Sequence, residues 1–112
     1  MKTYLEFSHN GEITEIKTKD KLFDNSKYDY NYINYIVYNK YNFILLYNKE
    51  NDLENITKLP FLSEKINGKF ILITVDNNNN LKSFTEKRFL NLIDITKNND
   101  YDYSSDDFNL TD

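Results

Sequence analysis

The chain contains no Cys, Ala, Gln or Trp, and its 112 residues include only two Gly, one Pro, one His and one Arg. Without Cys there is no disulfide framework, no thiol nucleophile and no thiolate metal site. A lone His, His9, leaves zinc without its usual ligand set and triad-type catalysis without a partnered base. Two isolated glycines, Gly11 and Gly68, cannot build a Gly-rich phosphate loop, and no G-x-S-x-G frames a serine nucleophile. Without Ala, helices lack their best former. The longest apolar run, Phe43 to Tyr47, is too short to span a bilayer, and Met1 to Glu6 show no apolar signal-peptide segment. These absences lead us to expect a non-enzymatic protein with no cofactor, no metal site and no membrane association. We expect it inside the cell.

What is present is a narrow alphabet. Asn, Lys, Ile, Tyr and Phe supply 18, 13, 11, 10 and 8 residues. Their codons are rich in A and T, so A+T bias is the background against which any cluster must be judged. The sequons Asn55-Ile56-Thr57 and Asn109-Leu110-Thr111 are what chance supplies in so Asn-rich a chain. The net charge of −4 is unevenly placed, because segment 97–112 sets Lys97 against Asp100, Asp102, Asp106, Asp107 and Asp112 and holds the whole imbalance. The remaining body is neutral, which disfavours a nucleic-acid-binding face.

Residues 2–8 alternate, with Thr3, Leu5 and Phe7 on one side, as in a half-buried strand. Asn10-Gly11 then signals a hairpin. A three-residue loop, His9-Asn10-Gly11, sets Phe7 opposite Ile13 and places Gly at the left-handed position. The uneven spacing of Ile13 and Ile16 predicts a bulge in the second strand. Residues 20–29 read as a loop or one helical turn. Ile33–Tyr38 and Asn42–Asn48 read as strands joined at Asn39-Lys40. Asn51 or Asp52 can cap a short helix that ends at Pro60. Asn67-Gly68 is another turn signal. Phe70–Val75 is continuously apolar, as expected of a strand covered on both faces, and Leu81–Phe84 returns beside it. Ser83 or Thr85 can cap a helix burying Phe89, Leu92, Ile93 and Thr96, with Leu90 to the side.

The expected fold is α+β: a mainly antiparallel sheet of about five to six strands built from hairpins, with two short helices on one face. One domain is expected over 1–97, followed by an acidic tail, 98–112, expected to be disordered. The opening hairpin resembles that of ubiquitin-like β-grasp proteins, at the level of fold only, since the long helix expected after such a hairpin is not evident.

Two clusters rise above the compositional background. Six of the ten tyrosines, Tyr28, Tyr30, Tyr32, Tyr35, Tyr38 and Tyr41, fall in one short stretch. Alternation at Tyr28, Tyr30 and Tyr32 would place three rings on one face, suited to a protein interface. Stacking on single-stranded bases would need interleaved cations, and only Lys27 and Lys40 flank the stretch. The second cluster is the tail. Asp100, Asp102, Ser104 and Asp106 have the spacing of a calcium loop's first positions, but the turn Gly and closing Glu are missing.

Gly68 to Asp76, read through Phe84-Thr85-Glu86-Lys87-Arg88-Phe89-Leu90, together with the size and composition, resembles small proteins of the mimivirus-like nucleocytoplasmic large DNA viruses. The resemblance implies a viral or phage accessory protein, placed in host cytoplasm or virion, and carries no catalytic motif. The expected function is a protein-interaction module using the Tyr-rich strands, with an unidentified protein or a second copy of the chain as partner. The alternative is an inhibitor or nucleic-acid mimic that engages a basic host or defence protein through Asp100, Asp102, Asp106 and Asp107. Removing 98–112 would abolish binding under the alternative alone.

Overall fold

The computed structural model describes residues 1–48, 55, 57, 59–62 and 66–98, with the side chains of 95–98 outside the description. The elements are β1 (Lys2–Phe7), β2 (Ile13–Thr18), a 3-10 turn (Asn25–Lys27), β3 (Tyr32–Tyr38), β4 (Tyr41–Tyr47), β5 (Phe70–Val75), β6 (Leu81–Lys82) and α1 (Glu86–Asn98). They form a six-stranded sheet in the order β2-β1-β5-β4-β3, with β6 also paired to β5. Every pairing is antiparallel. β1 pairs with the first half of β5 and β6 with the second, so the two lie along the same side of that strand.

The first hairpin has the expected register, Phe7 opposite Ile13, and Gly11 takes φ 90° where a side chain would be unfavourable. Ser8 closes the loop: its N–H donates to the Glu12 carbonyl and its Oγ accepts from the Glu12 N–H at 3.0 Å. The expected bulge in β2 is absent, because pairing runs unbroken from Lys2↔Thr18 to Phe7↔Ile13. Ile13 and Ile16 therefore lie on opposite faces. Ile13 packs against the core of the first face and Ile16 is half-buried on the second, so no bulge is needed to turn both the same way.

One face packs Leu5, Phe7, Phe43, Leu45, Phe70 and Leu72 against Phe84, Phe89 and Leu92 from α1 and its approach. Phe89 meets Phe7 edge-on at 5.0 Å between ring centres. The other face carries Ile44, Leu46, Ile71, Ile73, Val75 and Leu81. Segment 21–31 crosses beneath that second face from the β2 edge to the β3 edge. Its start is fixed by the Leu22↔Asn80 bridge and the Phe23 N–H donating to the Asn79 carbonyl at 2.9 Å. Phe23, Tyr28 and Tyr30 are its apolar anchors. β5 is consequently buried along its whole length, as its unbroken apolar sequence predicts.

Thr85 caps α1, its Oγ1 accepting from the Arg88 N–H at 3.2 Å. Ser83 instead accepts from the Thr3 N–H. Phe89 and Leu92 are buried and Ile93 half-buried while Leu90 is exposed, as the helical spacing predicts; Thr96 lies outside the described side chains. The second expected helix, capped at Asn51 or Asp52 and ending at Pro60, is not seen among the described residues. Most of its span lies outside the described residues, and the described ones, Asn55, Thr57 and Leu59, are not helical. Asn55 explains why, since its side chain offers the backbone other partners. Its Oδ1 accepts from the Thr57 N–H at 2.8 Å, and its Nδ2 donates to the carbonyls of Ser8 and Gly68 at 3.0 and 2.7 Å. Among the described residues there is thus one α-helix on the sheet's first face. The segment after the opening hairpin holds a 3-10 turn rather than the long helix of a β-grasp fold. No helix among the described residues is long and apolar enough to cross a membrane.

Candidate functional site

The two outer strands of the sheet differ in chemistry. β2 is Ile-Thr-Glu-Ile-Lys-Thr, with Glu15 and Lys17 projecting at an exposed edge. β3 is Tyr-Ile-Asn-Tyr-Ile-Val-Tyr, seven residues without charge, Pro or Gly. Charges and short strands are the usual protection of a sheet edge against further pairing. β3 has neither.

The β3–β4 turn fixes which backbone groups face outward. Asn39 and Lys40 have φ of 50° and 75°, the geometry of a type I′ two-residue turn. Tyr38 and Tyr41 close that turn and exchange both backbone hydrogen bonds. By alternation, Ile33, Tyr35 and Val37 direct their N–H and C=O groups away from β4, and among the described residues no strand lies beside them. The same residues project side chains onto the second face; Ile33 packs against its core, while Tyr35 and Val37 stand at an end that segment 21–31 does not reach. Tyr35 is 69% and Val37 79% exposed. A shallow groove of about 230 Å³ runs inward from them past Ile44 to Val75.

The six clustered tyrosines do not form one surface. Tyr28 packs on the second face, edge-on to Tyr4 at 5.8 Å and stacked with Phe23 at 5.7 Å. Burial, with Tyr4, Asp20 and Asp24 nearby, pushes its phenol up to about 12. Tyr30 packs against the same face. Tyr38 and Tyr41 join the core of the first face, with Tyr38 5.2 Å from Phe61 and Tyr41 5.1 Å from Phe84. Tyr32 is exposed and stacks on Tyr47 at 5.5 Å. The expected single face for Tyr28, Tyr30 and Tyr32 is not found, because the chain enters β3 between Tyr30 and Tyr32. Tyr35 is the member left outward at the open edge. Val37 and Ile33 belong with it, and the sign of them in the sequence is the charge-free alternation through Tyr32–Tyr38.

His9 lies exposed in the first turn. Asp100, Asp102, Asp106 and Asp107, with the rest of the acidic tail beyond Asn98, lie outside the described residues. Asn55 of the first sequon is 6% exposed and its amide nitrogen is occupied by two carbonyls. In the folded chain that nitrogen is closed to glycosylation; the Asn109 sequon lies outside the described residues. Compared with protein-family models, curated proteins and solved structures, the chain matches none.

Proposed function

We propose that this chain is a non-enzymatic interaction module that pairs through the open edge of β3, with a second copy of itself as partner. The observation that carries the reading is the uncharged edge, where Tyr35 and Val37 stand exposed beside outward backbone groups. A strand can pair antiparallel with its own copy about a two-fold axis. An axis at Tyr35, the middle residue of β3, sets Ile33 of one copy opposite Val37 of the other. It also sets Tyr35 opposite its own equivalent.

Such an edge contributes about six backbone hydrogen bonds. It buries less than the roughly 1,200 Å² at the lower end of stable interfaces. The association is therefore weak, on the order of ten to several hundred micromolar. The neutral body of the chain adds little long-range repulsion between copies.

Light scattering across a concentration series tests the reading. The expected result is a mass rising from monomer toward dimer. Val37→Lys places a charge at the edge without touching the core, and should hold the chain monomeric with an unchanged melting temperature. A monomer throughout the series, or a Val37→Lys protein that dimerises like the parent, would overturn it.

A further inference from the structure

A second site lies on the first face, at the end of the sheet near the β3–β4 turn. A cleft of about 280 Å³ there is lined by Lys40 from the turn, Lys82 from β6 and Arg88 from the first turn of α1. Thr74 and Ser83 also line it. Lys82 and Thr74 are direct cross-strand partners, so both project to the same face. Thr74 is only 3% exposed, and its hydroxyl is buried without a hydrogen-bond partner. Such a group costs about 1–3 kcal/mol when left unpaired, and native structures rarely leave one without a role.

The charge balance of the cleft is positive. Among the described residues, Lys40 and Arg88 have no ion-pair partner, and Lys82 makes no contact ion pair but lies close enough to Asp76 to help lower its carboxyl. The one carboxylate in the lining, Asp76, keeps its charge while neutral donors hold it in the loop, so three cations stand against one anion. Its Oδ1 accepts from the N–H groups of Asn78 and Asn80, and its Oδ2 from the Asn80 side chain at 2.9 Å. Ser83 Oγ accepts from the Thr3 N–H, which leaves its hydroxyl proton available as a donor. Three cations from three separate elements suit a tetrahedral oxyanion, which offers oxygens in several directions, better than a planar carboxylate.

We propose that this cleft binds a phosphate-type oxyanion, held by Lys40, Lys82 and Arg88 with Ser83 as a hydroxyl donor, and that the buried Thr74 hydroxyl beneath the cleft gains its missing partner by turning toward the bound anion. The site is independent of pairing through β3. Lys40 sits at φ 75°, where Gly would be cheaper for the turn. Lys40→Gly therefore separates binding from folding, since it removes a cation while stabilising the hairpin.

The test is a titration of the full chain with sodium phosphate at constant ionic strength, followed by amide NMR shifts. Saturable shifts centred on Thr74, Asn77, Lys82 and Ser83 are expected, with a dissociation constant on the order of millimolar. Acetate should bind about tenfold more weakly. Lys82→Ala, Arg88→Ala and Lys40→Gly should each weaken phosphate binding roughly five- to tenfold, Lys40→Gly with a raised melting temperature. Methyl phosphate distinguishes the sources: equal affinity assigns the cleft to phosphomonoesters, and exclusion assigns it to the free ion, both within the proposal. Shifts that never saturate, or that persist unchanged in the three variants, overturn it.

Discussion

Replacing Asn55 with Ala removes three hydrogen bonds at once from a residue 6% exposed. The side chain ties the first hairpin loop, through the Ser8 carbonyl, to the approach to β5, through the Gly68 carbonyl. The Ser8 carbonyl keeps a second donor, the Gly11 N–H at 3.0 Å. Among the described residues, no other donor reaches the Gly68 carbonyl. A net hydrogen bond is worth about 1 kcal/mol, and a buried carbonyl left unpaired costs about 1–3 kcal/mol. The Asn55→Ala chain should therefore lose roughly 2–4 kcal/mol, a large part of the ~5–15 kcal/mol of a typical domain. With a urea slope on the order of 1.5 kcal/mol per molar, the midpoint falls by about 2 M at an unchanged slope. Asn55→Asp is the sharper variant, because it aims a carboxylate oxygen at two carbonyls. The introduced carboxyl would have a raised pKa, so its protonated form is the one compatible with folding. Its stability deficit should exceed that of the Ala variant at neutral pH and shrink as the pH falls toward the ordinary carboxylate range. An Ala variant within 1 kcal/mol of the parent, or an Asp variant with no such pH dependence, would refute the clamp.

Three further outcomes follow from the geometry. Lys40→Gly should raise stability by about 0.5–1 kcal/mol in urea unfolding, because Gly suits the second position of a type I′ turn. The phenol of Tyr28 is raised from 10.0 to about 12 in the fold, so its contribution is complete below pH 10 and is lost as the pH rises toward 12. Tyrosinate absorbance should show one phenol titrating above the ordinary tyrosine range, absent in Tyr28→Phe, with unfolding beginning in that window. Asp76 is lowered from 3.8 by hydrogen bonds from the Asn80 side chain and from the Asn80 and Asn78 N–H groups. Its contribution is present above the unfolded value and lost as the pH falls through the folded one, so Asp76→Ala should flatten the acid-side fall in melting temperature.

The parts of the fold that can be read from sequence are those decided by neighbours along the chain. Asn10-Gly11 set the register of the first hairpin because a turn type dictates which residues face each other. Phe70–Val75 announced a central strand, and Thr85 with Phe89, Leu92 and Ile93 announced a helix. Segment 21–31 was harder: Phe23, Tyr28 and Tyr30 have no regular spacing, and only contact with the second face makes them core. Asn55 looked like a residue in a helix because its two carbonyl partners are distant in sequence. The tyrosines show the same limit, since their sides depend on where β3 begins. The cationic cleft had no sequence signature, because Lys40, Lys82 and Arg88 meet only through sheet and helix packing.

β5 lies in the middle of the sheet but late in the chain. The two hairpins that precede it, β1–β2 and β3–β4, make their own turns early, yet neither pairs with the other. Among the described residues only β5 joins them, bonding to β1 on one side and β4 on the other. During synthesis the chain carries two half-sheets, each showing apolar faces and an unpaired inner edge, until residues 70–75 leave the ribosome. Docking of this one strand closes contacts sixty-seven residues apart between Leu5 and Leu72, a long loop to close before any reward in burial. The order of elements thus makes β5 both the last sheet partner to arrive for the hairpins and the one that commits them to a common fold. A chain stopped before Phe70 would hold hairpins but no protein.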